Sequence, residues 1–290
     1  MSDTDLAVRA RQVTKAYGEV QALRGVDLDI HRGECVALLG PNGAGKTTMT
    51  EVLEGFRIRN SGEVSVLGVD PAHGDLAWKA RLGIVLQTAA DLKDLNVTEA
   101  VRHFAEIYPH AADVDEVIRM VGLEEKRRAR VRQLSGGQRR RLDVALGIIG
   151  QPELLFLDEP TTGFDPEARR HFWTLIEDLK AKGVTILLTT HYLDEAERLA
   201  DRVAVIAEGR VLADQSPSSL RAEAMRSATV HWVEEGVARK EQTEQPTAFI
   251  RALVSRLEGE IPELSVVRPS LEDVYLHLVF AAANADGVSA

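Results

Sequence analysis

Residues 35 to 48 read CVALLGPNGAGKTT, and few stretches that short leave a chain less freedom. An apolar run ends at Gly40, further glycines follow at Gly43 and Gly45, and then come Lys46, Thr47 and Thr48. The apolar run reads as a strand, and the residues from Lys46 to about Gly55 read as a helix. Gly43 and Gly45 let the loop between them take positive φ, so that successive backbone N–H groups turn inward around one anion. This is the pattern G-x-x-x-x-G-K-[ST] in its required strand–loop–helix setting, and Gly40, Pro41, Asn42, Gly43, Ala44, Gly45, Lys46, Thr47 and Thr48 form a phosphate cradle. Lys46 is expected to reach the terminal phosphates of a nucleotide, and the Thr47 hydroxyl to help ligate Mg²⁺.

A carboxylate pair lies in LLFLDEP, residues 154 to 160. The apolar runs at 153 to 157 and 184 to 189 read as strands buried on both faces of a parallel sheet. Ligand sites in such sheets lie off the carboxyl ends of the strands. Asp158 is therefore placed to hold Mg²⁺, and Glu159 to orient or deprotonate an attacking water. A second anion-binding mouth is written in LSGGQ, residues 134 to 138, where paired glycines open a helical pattern. Its backbone N–H groups and helix dipole suit an anion, yet the loop holds no lysine.

The rest of the chain frames these motifs. Residues 6 to 40 alternate short strand-like runs with turns, and residues 62 to 86 return to strand. Residues 88 to 150 read as helices, with Asn96 and Glu99 forming a capping box and Val97, Val101, Phe104 and Tyr108 marking one face. Asp165 caps a further helix that has Pro166 at its first position and a stripe of Phe172, Leu175, Ile176 and Leu179. The pattern resets after residues 214 to 219, which sets domains at 1–214 and 215–290. The tail reads as helices near 217–225 and 246–258, a strand at ATVHWV, and a last helix from Ser270, where Leu271, Val274, Tyr275 and Leu278 form a stripe.

A net charge of −10 argues against a general nucleic-acid binder. The basic run from 125 to 141 lacks interleaved aromatics and reads as a solvated helical face, with Arg139, Arg140 and Arg141 on several sides of one helix. The single cysteine, Cys35, permits no internal disulfide and fits a reducing compartment. No stretch approaches the length of a membrane span, so the chain is expected in the cytoplasm or on a membrane through a partner.

The phosphate loop, LSGGQ and LFLDEP, in that order, resemble the ATP-binding subunits of ABC transporters, and the likeness covers residues 6 to 213. The resemblance implies an α/β fold: a P-loop ABC ATPase core with a mainly parallel sheet and an antiparallel β subdomain, an inserted helical subdomain at about 88–150, and a small C-terminal α/β domain. It implies ATP and Mg²⁺ as cofactors, Tyr17 stacked on adenine, Gln87 sensing metal and water, and His191 on the γ-phosphate. Phe164 stands where the family usually has leucine. The resemblance also accounts for the second mouth. In this family two copies pack head to tail, and Ser135, Gly136, Gly137 and Gln138 of one cap the γ-phosphate held by the phosphate loop of the other. The tail PSLEDVYLHLV resembles that of daunorubicin-type drug-resistance exporters, which implies a separate transmembrane permease as partner and a place on the cytoplasmic face of the membrane; the acidic charge and the aromatic-free basic run leave no nucleic acid expected. Two rivals remain: a soluble ABC ATPase acting on nucleic acid or the ribosome, and a small-molecule kinase, which would leave LSGGQ unexplained.

Overall fold

A computed structural model of the chain describes residues 5–85, 92–224, 228–257, 259–268 and 270–287. It divides into two compact units, Met1–Asp214 and Gln215–Ala290. In the first unit β3 (Cys35–Leu39), β5 (Leu82–Val85), β6 (Leu154–Asp158), β7 (Thr185–Thr190) and β8 (Arg202–Ala207) join β9 (Arg210–Gln215) in a six-stranded sheet of order β5-β6-β7-β3-β8-β9. The pairings from β5 through β8 are parallel. β3 and β7 are buried at every residue, which is why their sequences show no polar alternation. β9 returns across the Glu208–Gly209 turn, where both residues take positive φ, as a two-residue hairpin of this hand requires.

A smaller antiparallel sheet of order β2-β1-β4 is built from β1 (Leu6–Tyr17), β2 (Val20–His31) and β4 (Ser61–Val66). Its inward residues, among them Val8, Val13, Leu28 and Ile30, share one core with β3 and with α1 (Lys46–Leu53). A short α2 (Leu76–Lys79) lies in the stretch read as strand. Its Trp78 is buried and donates to the Val66 carbonyl at 2.8 Å.

Between β5 and β6 come α3 (Val97–Ala105), α4 (Val114–Met120) and α5 (Gly136–Ile148). The capping box expected at Asn96 and Glu99 is present, with the two reciprocal bonds at 2.9 and 2.8 Å. Tyr108 falls beyond the end of α3; its ring occupies the space a side chain at Gly150 would need. After β6, α6 (Pro166–Ala181) starts at Asp165, whose carboxylate accepts from the Glu167 and Ala168 amides. Its buried stripe is the expected Phe172, Leu175, Ile176 and Leu179, and Phe164 packs edge-on against Phe172. α7 (Leu193–Leu199) follows β7.

The second unit holds α8 (Pro217–Ala224), β10 (Ala228–Glu234), β11 (Val237–Thr243), α9 (Pro246–Leu257), β12 (Ser265–Val267) and α10 (Leu271–Gly287). Its sheet is antiparallel, of order β11-β10-β12. Val230 and Trp232 of β10 pack against Leu253 and Phe249 of α9.

Candidate functional site

The strand order places β6, β7 and β3 side by side, so the segments leaving their carboxyl ends emerge together. These are Gly40 onward from β3, Asp158–Glu159 from β6, and Thr190–His191 from β7. In a parallel sheet this is where a ligand meets loops rather than strand faces.

The loop after β3 is held from behind. A side chain at Gly40 would put its Cβ 2.2 Å from the Ile206 carbonyl oxygen, and one at Gly45 would sit 2.6 Å from that of Ala22. Gly45 has φ 106° and is the N-cap of α1, while Gly43, at φ 81°, faces open space. Asn42, Gly43 and Thr47 are exposed, Pro41 and Thr48 are half-buried, and Ala44 and Lys46 are buried. The Lys46 ammonium is 5% exposed, donates to the Gly40 and Pro41 carbonyls at 2.8 and 3.1 Å, and lies 3.6 Å from Glu159 Oε1.

Glu159 takes φ 43°, outside the range an L-residue prefers. Its backbone N–H donates to the Thr189 hydroxyl and carbonyl at 3.0 and 3.1 Å, and the same hydroxyl donates to Asp158 Oδ1 at 2.5 Å. His191 Nδ1 lies 3.4 Å from Glu159 Oε1 without the alignment of a hydrogen bond. Lys46, Glu159 and His191 are thus one cluster, brought together from three strands. Thr189 was not singled out from the sequence. Its signal was the threonine pair closing an otherwise apolar run, since buried hydroxyls at a strand end need partners.

Thr47 and Asp158 line the same cavity, of about 500 Å³, together with Thr50, Glu51 and Glu54. Among the described residues no cluster of three or more His, Cys, Asp or Glu is arranged to hold a metal unaided. A hydroxyl and a carboxylate beside a phosphate cradle fit Mg²⁺, which takes one or two protein oxygens and completes its shell with phosphate and water. Glu54 in that cavity is buried, and desolvation, followed by the charges of Asp158 and Glu51, pushes its carboxyl up to about 8.

Other expected positions sit apart from this cluster. Tyr17 ends β1 and is 41% exposed, with the Lys15 ammonium and the Arg57 guanidinium 5.3 and 5.6 Å from its ring. Ser135 is the N-cap of α5, forming a capping box with Gln138, and Gly136 is exposed with open space around it. Gly137 is half-buried, with Ala168 of α6 close behind it. Gln87 lies outside the described residues. The solvated-face reading of the arginines fails at Arg140, which is buried against the backbone of the Asp158–Pro160 segment. Arg141 also has internal partners, the Val121 and Gly122 carbonyls.

Comparison with known proteins gives the chain a family. Residues 23–162 match the ABC transporter family. Over 307 aligned residues the chain is 35% identical to the daunorubicin resistance ATP-binding protein DrrA3 of Streptomyces coeruleorubidus, covering 96% of both. It is 41% identical over 221 residues to the Nod factor export ATP-binding protein I of Rhizobium meliloti strain 1021, covering 74% of this chain and 66% of that one. The solved dimeric ATP-binding cassette MJ0796, in a post-hydrolysis state bound to ADP and Pi, superposes with a TM-score of 0.65 at 26% identity, over 72% of this chain and 98% of that one. With a family match over residues 23–162 and a 35% identical relative aligned over 96% of both chains, the chain belongs to the family of ABC transporter ATP-binding proteins.

Proposed function

We propose that the chain is the ATP-hydrolysing subunit of an exporter whose membrane-spanning part is a separate permease, and that it moves a drug-like or lipid-like compound. The observation that carries this reading is the convergence of Lys46, Glu159 and His191, with Glu159 Oε1 within 3.6 Å of the lysine and 3.4 Å of the imidazole. The exporter half rests on the relatives, named for daunorubicin resistance and Nod factor export.

In this reading the loop of residues 40 to 48 holds the phosphates of ATP with its backbone N–H groups, Pro41 having none, while Lys46 neutralises charge on the terminal phosphates and Tyr17 stacks on adenine. Thr47 and Asp158, with Gln87, would hold Mg²⁺, which would supply positive charge to offset that developing on the phosphate oxygens. Glu159 orients the attacking water and takes its proton, while His191 contacts the γ-phosphate. Ser135, Gly136, Gly137 and Gln138 complete the site of a second copy packed head to tail, in keeping with the dimeric state of the solved cassette. Among the described residues no helix is long and apolar enough to cross a membrane. In this reading the chain acts on the cytoplasmic face through its permease, as exporter ATP-binding subunits do, with the helices at about 88–150 as a subdomain inserted in the 1–214 ATPase domain and 215–290 as a small α/β domain. No nucleic acid is part of this reading; in the basic run Arg127 pairs with Asp115, Arg132 with Asp94, and Arg140 and Arg141 with backbone carbonyls, which favours the transporter reading over a nucleic-acid one.

Phosphate release by the purified chain tests the core of this proposal. Wild type should hydrolyse ATP only with Mg²⁺, and Lys46→Ala should reduce turnover at least a hundredfold, roughly the loss expected when a cation on the transferring phosphate is removed. Wild-type turnover in Lys46→Ala would refute the site assignment.

A further inference from the structure

Arg140 lies just over one turn inside α5, the helix that opens at Ser135. It is only 8% exposed. Its Nε donates to the Pro160 carbonyl at 3.1 Å and its Nη2 to the Asp158 carbonyl at 2.7 Å. These two residues flank Glu159, the residue at φ 43°. With Thr189 accepting from the Glu159 N–H at 3.0 and 3.1 Å, the Asp158–Glu159 peptide is gripped at both its carbonyl and its amide. A residue with a Cβ persists in the left-handed region only where its surroundings over-determine it, and here the surroundings are Thr189 on one side and Arg140 on the other. The guanidinium is held at a cost: burial pushes its pKa down, and Asp143, Asp158 and Glu195 supply the opposing negative charge. A lysine, with a single nitrogen, has no planar fork with which to span the two carbonyls.

We infer that Arg140 is the positioning residue for Glu159. It fixes the backbone turn that aims the carboxylate toward Lys46 and His191, and ties that aim to the helix carrying the Ser135–Gly136–Gly137 mouth. This rests on the proposed role of Glu159 in activating water.

The test is Mg²⁺-dependent ATP hydrolysis by the full chain in wild type, Arg140→Met, Arg140→Lys, Glu159→Gln and the double variant Arg140→Met/Glu159→Gln. Arg140→Met should lower kcat about ten- to hundredfold, the scale of loss from sub-ångström to ångström misplacement of a reacting group, and leave the KM for ATP within about threefold. Arg140→Lys should recover part of the loss. In the Glu159→Gln background, followed over hours in single turnover, Arg140→Met should cost nothing further, because the group it positions is already gone. Wild-type kcat in Arg140→Met beside a crippled Glu159→Gln would overturn this inference alone. So would equal losses in both backgrounds, which mark a general structural defect. Wild-type turnover in Glu159→Gln would remove the role of Glu159 and this inference with it. If Arg140→Met does not fold, Arg140→Lys carries the same comparison, with a kcat loss of about three- to tenfold expected.

Discussion

At Glu159 a residue with a Cβ sits at φ 43°, a conformation that costs about 1–2 kcal/mol relative to the right-handed region. The cost is tolerable because Thr189 and Arg140 bond the backbone on both sides of it. The carboxylate pair itself was legible, since Asp-Glu after an apolar run marks the end of a buried strand. Its supports were not, because a threonine in an apolar run and an arginine in a basic run each have a commoner bland reading. Glu54 was missed for a related reason: nothing in its local sequence marks a glutamate at the end of α1 as buried. Its carboxyl is pushed up to about 8, chiefly by burial, so the folded protein holds this proton more tightly than the unfolded chain. The resulting stability is full below the unfolded pKa and is lost as pH rises through about 8. Glu54→Gln removes the titration. Its melting temperature should therefore exceed that of wild type at pH 8.5 and approach it at pH 5, in thermal unfolding followed by circular dichroism. A gap that is the same at both pH values would contradict this account.

Elements were legible in proportion to how strongly burial patterned them. β6 and β7 announce themselves as continuous apolar runs, and α6 as an apolar stripe behind a capped start. β11, exposed along nearly its whole length, and β12, exposed at all three residues, carry no alternation for a reader to find. The phosphate loop was fully legible as a motif, but not the difference between its glycines, which depends on what lies behind each one. Gly43 has open space, whereas a Cβ at Gly45 would meet the Ala22 carbonyl of β2 at 2.6 Å. Gly43→Ala should therefore cost about 1 kcal/mol, for positive φ alone. Gly45→Ala should cost about 3 kcal/mol or more, because a backbone clash adds to the strain. Denaturant unfolding of the two variants checks this, and equal losses would mean that the loop does not press on β2 as described.

For the whole molecule, the sequence could not reveal that β6, β7 and β3 are neighbours. That order is set by how crossovers wind around the sheet, and it makes one cluster of Lys46, Glu159 and His191. Nor does a single chain bring Ser135 to that cluster: it caps α5 with Gly136 open beside it, and no described bond joins it to Lys46 or Glu159. The proposed head-to-tail dimer gives that mouth its ligand, and mixing two dead variants tests it most directly. Lys46→Ala and Ser135→Arg should each ruin both sites of their own dimers. After exchange, verified by pull-down of differently tagged chains, half the dimers in an equal mixture are mixed. Each mixed dimer has one site with an intact phosphate loop and an intact facing mouth, and one site carrying both lesions. If sites act independently, ATP hydrolysis should recover to about a quarter of the wild-type rate. No recovery after confirmed exchange would contradict a shared site whose two copies fire independently.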